Sequence, residues 1–177
     1  MYLALDTETT GLTNLCNVLT VYFIILDENL NEIKTLDLKI KHDKYHVYTK
    51  ALEINKINLV EHDKTAISKE DAIIKMKEFF GSVTYHVIGH NVKFDITILK
   101  SNGMDINTYI KTPYIDTFNI CRKLKQEQKL NEKQSLSLGK LCYYFGVGPV
   151  SCENLHTSEH DTRLSVELFK HLKEFVL

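Results

Sequence analysis

The chain has 177 residues, 44% of them hydrophobic and 25% charged, with 22 basic against 23 acidic side chains and a formal net charge of -1. That length suits one domain with a sizeable core, and that composition excludes a disordered or fibrous chain. The near balance of charge also excludes a global basic field that would draw in a polyanion, so any phosphate recognition must be local.

Residues 2–6, YLALD, read as a buried strand. VLTVYFIILD (18–27) is a longer strand, rich in β-branched and aromatic residues, that runs into a turn at DENLN. IKTLDLKI (33–40) alternates Ile33, Thr35, Asp37 and Lys39 against Lys34, Leu36, Leu38 and Ile40, the period of a half-buried strand. Short links between these segments predict an antiparallel meander. YTKALEINKIN (48–58) is expected to hold a short helix. SKEDAIIKMKEFFGS (68–82) predicts an amphipathic helix, with Ser68 as N-cap, Asp71 three residues later, an apolar face from Ile73, Ile74, Met76, Phe79 and Phe80, and Gly81 as the stop.

VTYHVIG (83–89) is a strand, and NVKFDITILKSNG (91–103) a helix opened by Asn91 as N-cap and closed at Gly103. YIDTFNICRKLK (114–125) and SLSLGKLCYYFGV (135–147) read as two further helices. The last helix runs from about Thr157 to Phe175, with Leu164, Leu168, His171, Leu172 and Phe175 as its apolar stripe. Strands that pair first and then alternate with helices predict an α/β fold, a mixed sheet flanked by helices, in a single domain over residues 1–177. Cys16, Cys121, Cys142 and Cys152 are scattered and read as reduced thiols. MYLAL is too short and lacks the basic leader of a signal peptide, and no apolar run approaches the ~20 residues of a membrane span. The expectation is a soluble, intracellular, cytoplasmic-type protein with no membrane partner.

The chemistry starts at LALDTETTGL, where an apolar run stops at Asp6 and Glu8. In a strand these two share a face, and two unpaired carboxylates there repel each other and resist burial. Either both acids cap a turn into solvent, or a divalent cation sits between them, for which hard oxygen ligands suit Mg2+ or Mn2+. Asp95 follows a strand-to-helix turn, where an acid is also favourable through the helix dipole. Asp161 lies about one turn into the last helix, with His156 just before that helix and His160 adjacent.

Together these residues resemble the DEDDh 3′→5′ exonucleases of the ribonuclease H-like superfamily, and most of all the exonuclease domain of the DNA polymerase III epsilon subunit. The first motif is carried by Asp6, Thr7, Glu8, Thr9, Thr10, Gly11 and Leu12, the second by Asn91, Phe94 and Asp95 in GHNVKFD, and the third by His156 and Asp161. Weaker echoes are ALEINKI (51–57), IDTFNI (115–120) and LSLGKLCYYFGV (136–147). At the first echo relatives often carry His-Gly, where this chain has Asn55-Lys56.

The resemblance implies a five-stranded mixed sheet, in which a three-strand antiparallel meander is extended by parallel strands. It implies two-metal hydrolysis of the 3′-terminal phosphodiester of single-stranded or frayed DNA, releasing nucleoside 5′-monophosphates, with two Mg2+ or Mn2+ ions ~3.5–4 Å apart. Asp6, Glu8 and Asp161 would hold one ion, Asp6 would bridge to the second, and Asp95 would contribute directly or through water. His156 would be the general base, its ordinary pKa of ~6.5 suiting the task. It is favoured over His160 because a residue just before the helix can swing over the site. Thr9, Leu12, Asn91 and Phe94 would touch the terminal nucleotide, with a core role the alternative for Phe94. Lys56, Lys93 and Arg163 are candidate contacts to the nucleic-acid backbone. DNA is the favoured partner strand and RNA the alternative, as in ribonuclease T or oligoribonuclease; a replication or repair partner is the expected context, and an inactive scaffold the remaining reading.

Overall fold

The computed structural model describes residues 1–148 and 156–175, and Cys152 lies outside them. Five strands, β1 (Tyr2–Thr9), β2 (Val18–Leu26), β3 (Glu32–Lys39), β4 (Tyr85–Gly89) and β5 (Ile110–Asp116), form one mixed sheet in the order β3-β2-β1-β4-β5. The first three pair antiparallel, whereas β4 joins β1 and β5 joins β4 in parallel. The meander, the parallel extension and the flanking helices are those expected from the sequence.

Three helices follow the meander: α1 (Thr49–Asn55), α2 (Leu59–Thr65) and α3 (Lys69–Phe80). Beyond β4 come α4 (Lys93–Ser101), α5 (Thr117–Gln126), α6 (Leu138–Phe145) and α7 (Ser158–Leu172). Strand alternation divides their partners. Leu3 and Leu5 of β1 share a core with Met76 and Phe80 of α3 and Ile96 and Leu99 of α4. Ala4, on the opposite face, shares one with Tyr22, Ile24, Ile88 and Val166 of α7. A third cluster joins α5, α6 and α7 through Cys121, Leu124, Leu141, Cys142, Leu164 and Leu168. Cys16, Cys121 and Cys142 are buried free thiols. Among the described residues no helix is long and apolar enough to cross a membrane.

Several boundaries differ from expectation. Tyr114–Asp116 is not helix but the end of β5, where Ile115 pairs with Ile88 and Asp116 with Gly89. Pro113 obscures this strand in the sequence, and β5 tolerates it because it is an edge strand. α4 begins at Lys93 rather than at Asn91, which is not the N-cap: it adopts a left-handed φ of 61° and donates its N–H to Asp116 Oδ1 at 2.8 Å. The segment 48–58 holds only α1, closed by Lys56 in the left-handed conformation, and α2 follows it, capped by Asn58. Ile74 points outward from α3, leaving the rest of the predicted apolar face to pack. The last helix ends at Leu172 and continues as a 3-10 turn, so Phe175 is exposed rather than part of the stripe. Ser68 does cap α3, accepting from the Asp71 N–H at 3.0 Å while its hydroxyl donates to the Asp71 carboxylate at 2.7 Å.

Phe23 is fully buried at the centre of the sheet, and Phe80 meets its ring edge-on at 5.2 Å between centroids. Phe23→Ala is expected to cost about 3–5 kcal/mol, read as a lower urea midpoint with an unchanged transition slope.

Candidate active site

The site begins with the parity of β1. Asp6 and Glu8 share the face of Ala4, the face covered by α7. The ladder between β1 and β4 runs only from Tyr2 to Ala4, so both acids project past its last pair. β4 then ends at Gly89, where an added Cβ would fall 2.6 Å from Val92 Cγ2. This tight corner turns the chain into α4 beside the end of β1.

Helix α7 approaches from the other side. Thr157 caps it, accepting from the His160 N–H at 3.3 Å, and the Thr20 and Ser158 hydroxyls meet at 2.9 Å. Thr162 is fully buried against β2, its hydroxyl 2.6 Å from the Ser158 carbonyl. The first turn, fixed in this way, brings Asp161 to the acids of β1: carboxylate oxygens of Asp6, Glu8 and Asp161 lie within 4.8 Å of one another. Asp95 comes from the opposite face of the sheet, and its Oδ1 accepts from the Thr7 N–H at 3.0 Å and the Thr7 hydroxyl at 2.7 Å.

Every member of this group is held above its ordinary carboxylate range. Burial raises Asp6 most, and the charges of Asp95, Asp161 and Glu8 add to it. Burial and then Asp161 push Glu8 up to about 8, against a hydrogen bond from Asn55 that lowers it. Asp95 is pushed up to about 7 by burial, opposed by its Thr7 hydrogen bonds. Asp161 is raised by burial, while His156 and His160 both favour its ionised form. Four carboxyls that resist ionisation where they stand offer a cluster of hard oxygen donors. That donor set fits a divalent metal.

The other residues singled out from the sequence are placed as follows. His156 is exposed, with a left-handed φ of 73°, just ahead of the α7 cap. The Thr9 hydroxyl is buried and donates to the Gly11 carbonyl at 2.7 Å. Leu12 is 84% exposed. Asn91 is exposed in the β4–α4 turn, and Phe94 is half-buried and packs on the main core. Lys93 is exposed at the start of α4, and Lys56 at the end of α1. Arg163 is committed elsewhere: its guanidinium pairs with Glu32 at 2.7 Å and Glu159 at 3.0 Å and donates to the Tyr22 hydroxyl.

Three residues within the motifs and their echoes take supporting roles that the sequence did not assign. Thr7 anchors Asp95 across a separation of 88 positions, which no local pattern signals. Asn55 is buried and donates to the Thr9 carbonyl at 3.1 Å while its amide also bonds Glu8. Its substitution at the ALEINKI echo was the available signal. Asp116 accepts from the Asn91 and Phe118 N–H groups and so ties the β4–α4 turn to α5; the IDTFNI echo pointed to it.

Comparison with known proteins gives a concordant result. A family model described as exonuclease, RNase_T, matches residues 3–169. The DNA polymerase III PolC-type protein of Clostridium perfringens is 26% identical over 189 residues, covering 98% of this chain and 11% of that protein. Exonuclease I of E. coli in complex with a dT13 oligonucleotide superposes with a TM-score of 0.80 at 19% identity, covering 97% of this chain and 40% of that one. Exonuclease I from Methylocaldum szegediense gives 0.78 at 19% identity, with 98% and 40% covered. The chain thus spans a minor part of each of these proteins.

The raised carboxyls make the metal-free protein pH-sensitive. The folded state keeps the Glu8 proton up to about pH 8, whereas the ordinary value is 4.5, so between these limits the folded state binds more protons and this contribution to stability falls as pH rises. In EDTA, Glu8→Gln is expected to raise the urea midpoint at pH 8 and change it little at pH 4.5. Adding Mg2+ or Mn2+ at pH 8 is expected to stabilise the native sequence more than the variant. Equal responses of the two proteins would contradict the shift.

Proposed function

The chain belongs to the exonuclease family, within the ribonuclease H-like superfamily, and from that premise we propose that it is a 3′→5′ exonuclease of the DEDDh type, a single catalytic domain over residues 1–177. The reading rests on one observation above all. Asp6 and Glu8 of β1 and Asp161 of α7 gather oxygens within 4.8 Å, with Asp95 held behind them by Thr7.

In this reading Asp6, Glu8 and Asp161 would hold one divalent cation, and Asp6 would help to hold a second, with Asp95 contributing directly or through water. Mg2+ or Mn2+, two per site, would neutralise charge on the attacking and leaving oxygens of the phosphodiester. His156 takes the proton from the attacking water. It stands outside the helix, whereas His160 is fixed within the first turn of α7. Thr9 would meet the terminal nucleotide, its hydroxyl held in place by donating to the Gly11 carbonyl. Leu12 is well exposed to wedge beside the terminal base, and Asn91 of the β4–α4 turn and Phe94 of α4 would contact the same nucleotide. The substrate we favour is the 3′ end of single-stranded or frayed DNA, cut to nucleoside 5′-monophosphates, in a replication, proofreading or repair setting. The polymerase relative and the oligonucleotide-bound exonucleases support that choice.

The test is a side-by-side assay of single-stranded DNA, mismatched duplex DNA and RNA, with Mg2+, Mn2+ or EDTA. Asp6→Ala, Glu8→Ala, Asp95→Ala and Asp161→Ala are each expected to abolish release of mononucleotides. His156→Ala is expected to lose about 10²- to 10⁴-fold in rate while still binding metal by calorimetry. Full activity in EDTA would sink the metal mechanism, and a faster rate on RNA would reassign the substrate.

A further inference from the structure

Beyond the acidic site, α6 presents an exposed face with no role in the proposed chemistry. Tyr143 is 73% and Tyr144 48% exposed, and Lys140 lies on the same side of the helix, three and four residues earlier. Together with Lys133, Gln134 and Ser135 they line an open groove of about 670 Å³. Its wall is braced. The Gln134 side-chain amide donates to the Ser135 and Lys140 carbonyls at 3.1 and 3.2 Å, and Lys125 Nζ donates to the Gln134 carbonyl at 2.9 Å. Lys133 and Lys140 are exposed and form no ion pair among the described residues. Between Gln128 and Gly148 the only acid is Glu132, against Lys129, Lys133 and Lys140.

The groove is tied towards the acidic site by one contact. Leu136, next to Ser135, has its carbonyl 2.9 Å from His90 Nε2, and His90 precedes Asn91 in the turn that leads to Asp95. Exposed aromatic rings interleaved with unpaired lysines are the chemistry that holds a single strand: bases stack on the rings and phosphates meet the ammonium groups.

We propose that the Lys133–Lys140–Tyr143–Tyr144 groove is a second binding surface for single-stranded nucleic acid, carrying the strand on the 5′ side of the nucleotide being removed. This rests on the exonuclease reading for its direction, but binding there does not require cleavage. Both are therefore measured on the 177-residue chain. Fluorescence anisotropy in EDTA, with labelled single-stranded DNA of about 15 nucleotides and of about 3, reads binding; hydrolysis of the same oligomers in Mg2+ or Mn2+ reads cleavage. Tyr143→Ala with Tyr144→Ala is expected to weaken binding of the long strand roughly tenfold and to lower its kcat/KM alike, leaving the short one unchanged. Lys133→Glu with Lys140→Glu is expected to reduce the salt dependence of long-strand binding by about one to two in slope. All four side chains are exposed, and an unchanged melting temperature confirms that each variant folds. Equal long-strand affinity in variant and wild type, or no affinity of the wild type, overturns the groove. Binding lost as expected in the variant, with no cleavage by the wild type, upholds the groove and overturns the nuclease reading instead.

Discussion

Like charges brought together out of water are the constraint around which this molecule is organised. Asp6, Glu8, Asp95 and Asp161 come from β1, α4 and α7, and each raises or feels the proton affinity of another. Nothing in their mutual electrostatics favours the arrangement; unfolding would relieve it. The arrangement therefore persists because the surrounding hydrocarbon holds the three elements in place. Leu3 and Leu5 fix β1 against α4 on one face, and Ala4 and Ile88 fix the sheet against Val166 of α7 on the other. A cation that joins the oxygens turns the same repulsion into a binding free energy, so a pocket costly to keep empty is also one suited to metal.

Backbone geometry converts this constraint into a defined shape. Thr7 stands between Asp6 and Glu8 in sequence but points to the other face, so one strand presents two acids to α7 and a hydrogen-bonding anchor to Asp95. Pinning one oxygen of Asp95 by two donors limits the ways that carboxylate can turn. Asn55 acts similarly on Glu8, and its other bond, to the Thr9 carbonyl, ties α1 to the end of β1. The neighbouring Lys56 takes a left-handed conformation at the helix end, where glycine is the easier residue. Asn55 and Lys56 thus both close the helix and tie it to the strand that carries the acids.

The sequence was most legible where a pattern is local. Alternation in β3, the Ser68 cap and the buried run of β2 each follow from neighbours a few positions apart, and each stands in the structure. It was least legible where long-range pairing overrides a local signal. Pro113 argues against a strand, yet an edge position asks little of its missing N–H. Asn91 has the composition of a helix cap, yet Asp116, 25 residues away, claims its N–H and the turn takes another shape. The acids were visible because motif spacing ties them to strand and helix ends. The residues that aim them were not: Thr7 and Asn55 act through contacts 88 and 46 positions distant in the chain.

On the proposed exonuclease reading, a chain with net charge near zero would have to hold a polyanion beside four acids. Long-range attraction cannot supply that, because 22 basic residues are balanced by 23 acidic ones. Arg163, the arginine of α7, is drawn off into pairs with Glu32 and Glu159. On that reading affinity would be assembled from short-range terms: cations at the cleaved phosphate, and contacts to the rest of the strand that do not rely on bulk charge. Stacking meets that requirement, since the face of an aromatic ring attracts a base whatever the net charge of the protein. The two exposed tyrosines of α6, beside lysines that form no ion pair among the described residues, offer such contacts apart from the acidic pocket. Separating grip from cleavage in this way would let the acidic pocket stay dedicated to its cations without the whole surface having to become basic.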